Sequence, residues 1–251
     1  MGIKYKINEK FFDNWNPEMA YILGYIYADG SLEDASYLRG KYVRITSVDL
    51  IIIEKIRQLL GSEHKIIKRE SRIVKFKLEN KSYKSKASYL LRIGSHALYE
   101  SLVKLGLYPN KSLTIKFPAI PVNVFRHFVR GYFDGDGCVY LETAKGISKE
   151  RIIKRLLVIF TSGSMDFLVS LQRGLTKSLG LGGKIYYQNR AGQLRYTTGD
   201  AVKFFHFMYS GSNHLHLERK FDIFVKYFSL RPARIDELVN SVLNQFGHVA
   251  N

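Results

Sequence analysis

Two acidic residues, Asp29 and Asp136, close segments of one design. Residues 22–30 read ILGYIYADG and residues 129–137 read VRGYFDGDG, each with glycine third, a small residue seventh and Asp-Gly at the end. Carboxylate oxygens suit hard cations such as Mg2+, and the carbonyl end of a helix adds partial negative charge that favours a cation further. Two such carboxylates side by side make a cation site. Without the cation they repel, and at least one is expected to keep its proton. A single Asp-Gly reads equally well as a helix stop and turn, because both residue types favour turns. The second copy repeats the whole spacing, again inside an apolar run and ahead of a strand-like stretch, which favours a paired site.

The elements that must position this pair follow from the same residues. Gly24 and Ala28, like Gly131 and Gly135, stand four apart, so they share one helix face on which two backbones can approach closely. Two helices packed through these faces and running the same way bring Asp29 and Asp136 together at their C-terminal ends.

The segments resemble the paired motifs of the LAGLIDADG homing endonuclease family, in the form where one chain carries both copies. Asp29 and Asp136 match the family's metal-binding acidic position, and Gly24 and Gly131 its helix-packing glycine. Tyr27 departs from the motif's first acidic position, where the second copy retains Asp134. That position is not a metal ligand in the family, so the departure leaves cleavage competence intact. The resemblance implies an α+β fold of two pseudo-symmetric αββαββα halves, each with a four-stranded antiparallel sheet curved into a saddle along the major groove. The motif helices lie at the centre, with their acidic ends toward the minor groove. It further implies Mg2+-dependent hydrolysis of both strands of a long asymmetric duplex site by a monomer, leaving short 3′ overhangs. The backbone carbonyls of Ala28 and Gly135 are candidate extra ligands. In the family a polar residue on the second strand and a basic residue on a later strand orient the water network. Alignment of the halves gives Ser47 and Ser162 for the first role and Arg92 and Arg195 for the second, with registers about one residue apart. All four read equally as ordinary strand residues.

The duplication extends beyond the motifs. Residues 44–47 lead into Asp49 and a helical run over 50–60, and residues 159–162 lead into Ser164 and a run over 165–179, with Asp49 and Ser164 at matching N-cap places. Residues 1–16 read as an N-terminal extension whose Phe11, Phe12 and Trp15 cover part of the core. Residues 17–108 are the first half, 109–123 a proline-interrupted linker, 124–230 the second half, with Asn123 as its helix cap, and 231–251 a tail with an amphipathic segment. Alternation in residues 73–78 and 184–197 predicts strands with one apolar and one basic face.

Charge decides what such faces meet. The chain has 39 Lys and Arg against 22 Asp and Glu, a formal charge of +17, and the excess is shared by both halves. An evenly spread excess fits a long polyanion crossing the molecule better than a basic tail would. Candidate readers of base edges and phosphates are Arg39, Lys41, Arg44, Arg72, Lys75, Lys77, Gln188, Arg190 and Arg195. The one cysteine, Cys138, excludes an internal disulfide and a cysteine zinc cluster, and reads as a small apolar filler. No run is long enough to span a bilayer and no signal peptide is evident, which places the protein in the compartment of its target DNA, a bacterial cytoplasm or an organelle matrix. Asn213-His214-Leu215-His216 is too short for a histidine nuclease motif, and no phosphate-cradling loop or intein terminus is present. The alternatives are an intron RNA maturase and a non-cutting DNA-binding regulator on the same fold.

Overall fold

Asn16 starts the first motif helix, α1 (Pro17–Asp29), by accepting the Met19 N–H at 2.8 Å, and Pro17 occupies the first turn, where no backbone donor is needed. These are features of a computed structural model that describes residues 5–38, 40–76, 81–145, 151–188 and 190–248. Residues 19–27 of α1 are all buried, and after Asp29 the chain passes directly into β1 (Gly30–Ala35), with Gly30 extended at φ −96°. The Asp-Gly pair is thus a helix-to-strand junction and not a turn.

The first half continues with β2 (Gly40–Ser47), α2 (Leu50–Leu59), β3 (Ile66–Arg69), β4 (Ile73–Phe76), β5 (Lys81–Lys84), β6 (Ser88–Gly94) and α3 (His96–Lys104). Its antiparallel sheet has the order β1-β2-β6-β3, and β4 with β5 forms a two-stranded ribbon that prolongs the β3–β6 hairpin. In the second half, α4 (Phe125–Asp136), β7 (Gly137–Lys145), β8 (Arg151–Ser162), α5 (Met165–Leu179), β9 (Lys184–Gln188), β10 (Ala191–Thr197) and α6 (Thr198–Tyr209) give the order β7-β8-β10-β9. Two further helices follow, α7 (Glu218–Leu230) and α8 (Glu237–Gln245). The tail's amphipathic segment becomes α8, packed on α6, whereas α7 has no counterpart in the pattern expected from sequence.

Strand alternation sorts the residues. On β2, Val43, Ile45 and Ser47 are buried against the helices, while Tyr42, Arg44 and Thr46 lie on the open face. The halves are in register: Gly30 faces Ile45 as Gly137 faces Phe160, and Arg44 faces Arg92 as Ile159 faces Arg195. Arg92 and Arg195 therefore hold equivalent places, without the one-residue offset expected.

The motif helices meet through the small residues. A methyl built on Gly24 would collide with the Phe128 carbonyl oxygen, and one on Gly131 with the Tyr21 carbonyl oxygen. Gly135 lies against Ala28, so the contact advances in the same direction along both helices and they are parallel. Three local expectations differ. Asn123 lies within a 3-10 turn (Val122–Val124) and α4 begins at Phe125. Asp49 holds the N-cap position of α2 without capping it, since its carboxylate accepts from Arg219 at 2.8 Å. Cys138 is exposed and its neighbour Val139 is buried, because β7 alternates there. Phe12 enters the core, and Phe11 and Trp15 pack half-buried against it.

Candidate functional site

Parallel packing brings the two acidic ends together. A methyl on Gly135 would lie 3.4 Å from the Asp29 amide nitrogen and 3.5 Å from its Cγ, so the last turn of α4 rests directly against Asp29. Both aspartates open to solvent on one side while protein crowds the others. That crowding, with the Asp29 charge adding to it and Lys111 and Lys220 opposing, raises the Asp136 carboxyl to about 6. Loss of solvent also raises Asp29, opposed by Lys220, Lys111 and Arg219. The Asp29 charge thus acts against ionisation of Asp136.

This has a measurable consequence in metal-free buffer. Folded Asp136 holds its proton more tightly than an unfolded carboxyl near 3.8 does, so its contribution to stability is full in acid and is lost as pH rises from about 4 through about 6. At neutral pH the Asp136→Asn protein is expected to melt about 1–3 °C above the natural chain, after allowance for solvent screening. The gap closes toward about pH 4, and Mg2+ raises the melting temperature of the natural chain more than that of the variant. Thermal melts with chelator or Mg2+ across this range measure both effects. His127 and His216, which burial holds neutral, titrate alike in the two proteins. A variant that melts below the natural chain at neutral pH would contradict the repulsion.

Beneath each acidic end lies a buried lysine. Lys111, in a 3-10 turn of the linker (Lys111–Leu113), donates to the carbonyls of Tyr27 at 2.6 Å and Ala28 at 3.5 Å. Lys220, in the first turn of α7, donates to Phe133 at 2.5 Å, Asp134 at 2.8 Å, Gly137 at 2.6 Å and Gly135 at 3.5 Å. Each reaches carbonyls of the last helical turn, Tyr27 and Ala28 for Lys111 and Phe133, Asp134 and Gly135 for Lys220, which also bonds Gly137 at the start of β7. Burial brings Lys220 down to about 8 and lowers Lys111, with aspartate charges opposing both shifts. The segments carrying them also cross to the other half: Ser112 and Leu113 pack on Gly163, and Arg219 bonds Asp49. Sequence reading saw Lys111 only as linker charge and missed Lys220. The signal available was a lysine at nearly equal distances after the two motifs.

The helper candidates fall on different sides of the sheets. Ser47 and Ser162 are buried, accepting the backbone N–H of Asp49 and Ser164 at 3.1 Å, and Thr46 and Thr161 occupy the outward positions beside them. Arg92 lies on the open face, forked onto Glu33 at 2.9 and 3.2 Å and stacked 3.4 Å from the Tyr42 ring centre. Arg195 is held by Gln188 at 2.9 Å and by Gln193, with Tyr186 beneath it. Of the other recognition candidates, Arg44 is on the open face and Arg190 turns the β9–β10 hairpin at φ 65°. Lys41 instead points to the helix side, engaged by Glu100 and Tyr99. Arg72 lies between β3 and β4. Lys75 is on β4 and its side chain is outside the described residues, as are Arg39 and Lys77 altogether. His216 belongs to a buried aromatic cluster with Phe221 and Phe246.

The donors at the helix ends are hard oxygens, the kind a divalent cation takes. Among the described residues no group of three or more His, Cys, Asp or Glu converges. Two carboxylates remain, with the Ala28 and Gly135 carbonyls, each contacted by a lysine at 3.5 Å. Mg2+ keeps waters and is completed by substrate phosphate, so it needs no fuller cage. Among the described residues no helix is long and apolar enough to cross a membrane.

A family model described as a LAGLIDADG-like domain matches the chain twice, over residues 16–106 and 123–208. The chain belongs to the LAGLIDADG family. The homing endonuclease I-WcaI bound to its DNA recognition sequence is similar at TM-score 0.54 and 12% identity, over 86% of this chain and 91% of that one. The LAGLIDADG meganuclease I-AabMI bound to uncleaved DNA gives TM-score 0.55 and 14% identity, over 92% and 97%. The I-SmaMI LAGLIDADG homing endonuclease bound to cleaved DNA gives 0.54 and 15%, over 92% and 94%. The likeness to these structures is one of fold. No curated protein sequence matches. Both buried lysines lie outside the segments matched by the LAGLIDADG model. The position where the two LAGLIDADG motifs diverge is structural. Asp134 is buried, accepting from Tyr21 at 2.8 Å and from the Leu217 amide at 3.0 Å, and so ties α4 to α1. Tyr27 bonds the Leu105 carbonyl at 2.7 Å within its own half.

Proposed function

We propose that the chain is a monomeric, site-specific endonuclease that cuts both strands of a long asymmetric duplex, leaving 3′ overhangs. The observation that carries this reading is the meeting of Asp29 and Asp136 at the ends of the parallel motif helices. The DNA named for I-WcaI, I-AabMI and I-SmaMI supports duplex DNA as the substrate class.

Asp29 and Asp136, with the Ala28 and Gly135 carbonyls, would hold the divalent cation, whose chemistry there would be Lewis-acid polarisation of the scissile phosphate and acidification of a bound water. The protein's own groups set the field in which this happens. Lys111 and Lys220 hold the helix ends in place and offset the charge of the acidic pair from below, which favours the ionised carboxylates. Thr46 and Thr161 are the outward-facing polar residues of the second strand in each half, placed to orient water where Ser47 and Ser162 are not. Arg92 and Arg195 act in recognition. Arg92 carries a carboxylate partner and Arg195 two glutamine partners, so equivalent places in the halves read different base edges and the site is not a palindrome.

The test is cleavage of a randomised duplex library with Mg2+, followed by sequencing of the ends. One long asymmetric site with 3′ overhangs is expected. Magnesium-independent retention of DNA or of a structured RNA, with no cuts, would turn the assignment to a binding protein.

A further inference from the structure

Lys220 and its neighbour Arg219 leave the first turn of α7 for different halves of the molecule. Lys220 closes the end of α4 in its own half, while the Arg219 Nε donates to the Asp49 carboxylate at 2.8 Å, at the entry to α2 in the first half. A second tie lies on the same helix, where the Lys55 ammonium donates to the His214 carbonyl at 2.7 Å. The loop that offers this carbonyl holds Asn213 and His214 in the left-handed region, at φ 46° and 56°, a costly conformation for residues other than glycine. The segment that delivers Lys220 is thus braced on α2 of the opposite half.

The pseudo-symmetric junction is braced by other means. Gly163, between β8 and α5, holds the place of Val48 between β2 and α2, and a methyl on it would meet the Ser112 carbonyl oxygen at 2.6 Å. The turn carrying Lys111 therefore rests on the second half by close packing and not by charge. Ser164 caps α5, accepting the Phe167 N–H at 3.3 Å. Asp49 has nearly the same backbone, φ −100° and ψ 108° against φ −93° and ψ 114°, yet its side chain gives α2 no cap. A partly exposed ion pair adds little to stability and a forgone cap costs more, so what the exchange secures is position.

We infer that Asp49 is a positioning residue for the cleavage centre of the other half: through Arg219 it sets Lys220, and through Lys220 the acidic end of α4 at Asp136. The effect on cutting rests on the nuclease reading above, and the effect on α4 rests on the contacts alone.

The test compares Asp49→Ser and Asp49→Glu with the natural chain. Asp49 is changed and not Arg219, whose charge acts on Asp29 directly. Each strand of the duplex selected from the library carries its own label, and Asp136→Asn marks the strand that its centre cuts. Asp49→Ser is expected to cut that strand about tenfold more slowly and the other at the natural rate, so that nicked duplex accumulates, while Asp49→Glu, which keeps the carboxylate, stays within about twofold. Thermal melts place Asp49→Ser at or above the natural chain, because serine can cap α2 as Ser164 caps α5, and a role in stability alone gives no slower strand. Hydrogen exchange, which needs no cutting, quickens in Asp49→Ser at the amides of residues 133–137 and is unchanged at residues 26–30. Natural cutting by Asp49→Ser, or equal slowing of both strands, overturns the proposal. If the intact chain cuts nothing, the nuclease reading fails and exchange decides the contact: unchanged protection at residues 133–137 overturns it, and selective loss there upholds it.

Discussion

Asp29→Asn and Asp136→Asn are each expected to lower double-strand cleavage by about 10³-fold or more, with nicking of one strand as the residual activity. Asparagine keeps the shape of the side chain and removes the charge, and a neutral amide oxygen is a poor ligand for a hard divalent ion. A thousandfold loss corresponds to about 4 kcal/mol of transition-state stabilisation, the scale expected when a charged group acting on the reacting phosphate is removed. Folding should not suffer. Burial first and the Asp29 charge second raise the carboxyl of Asp136, so its ionisation costs the metal-free protein stability, and Asp136→Asn is expected to be as stable as the natural chain or more so. Single-turnover cleavage and thermal melts on the same preparations separate the two effects. Intact cutting by either variant would remove that aspartate from the site, and loss of cutting together with loss of fold would leave the residue a structural one.

The features legible in the sequence share a property: each is specified within a few neighbouring residues. The motif helices, their small faces and their acidic ends repeat twice in nine residues, and α5 runs over the span expected because Ser164 caps it and Gly180 ends it at φ 65°. The misread features depend on partners distant in the chain. Asp49 has the type and place of an N-cap, yet Arg219 captures its carboxylate from the other half. Lys111 sits in a linker turn and Lys220 in a helix, so no common local pattern marks them, although both close the carbonyl end of a motif helix.

Other differences come from strand alternation. One step along β2 separates Ser47, buried, from Thr46, outward, and the same step separates Ser162 from Thr161 on β8. An alignment of the halves keeps these residues matched to each other whichever face they occupy, so it could not choose between them. Lys41 is on the helix side for the same reason, three positions from Arg44 on the open face.

The motif glycines should control stability as strongly as the aspartates control chemistry. Gly131→Ala places a methyl on the Tyr21 carbonyl oxygen, with the Tyr25 amide nitrogen 3.0 Å away. Gly24→Ala does the same at the Phe128 carbonyl, with the Tyr132 amide 2.9 Å away. These obstacles are backbone atoms inside helices and cannot rotate aside, so α1 and α4 must separate along their length. Overpacking of this kind costs about 3 kcal/mol, which for a chain of this size lowers the melting temperature by roughly 10 °C. Gly199→Ala supplies the contrast: nothing lies within 4 Å of its added methyl, in the first turn of α6, and the change is expected to be neutral or to stabilise by up to about 1 kcal/mol. Thermal melts of the three variants decide whether the close approach exists. Separation of the helices also moves Asp29 away from Asp136, so Gly131→Ala should relax the carboxyl of Asp136 toward its ordinary value and shrink the stabilisation given by Mg2+. If Gly131→Ala melts like the natural chain, the helices do not touch there, and the acidic ends are not held together by the face that the sequence spacing describes.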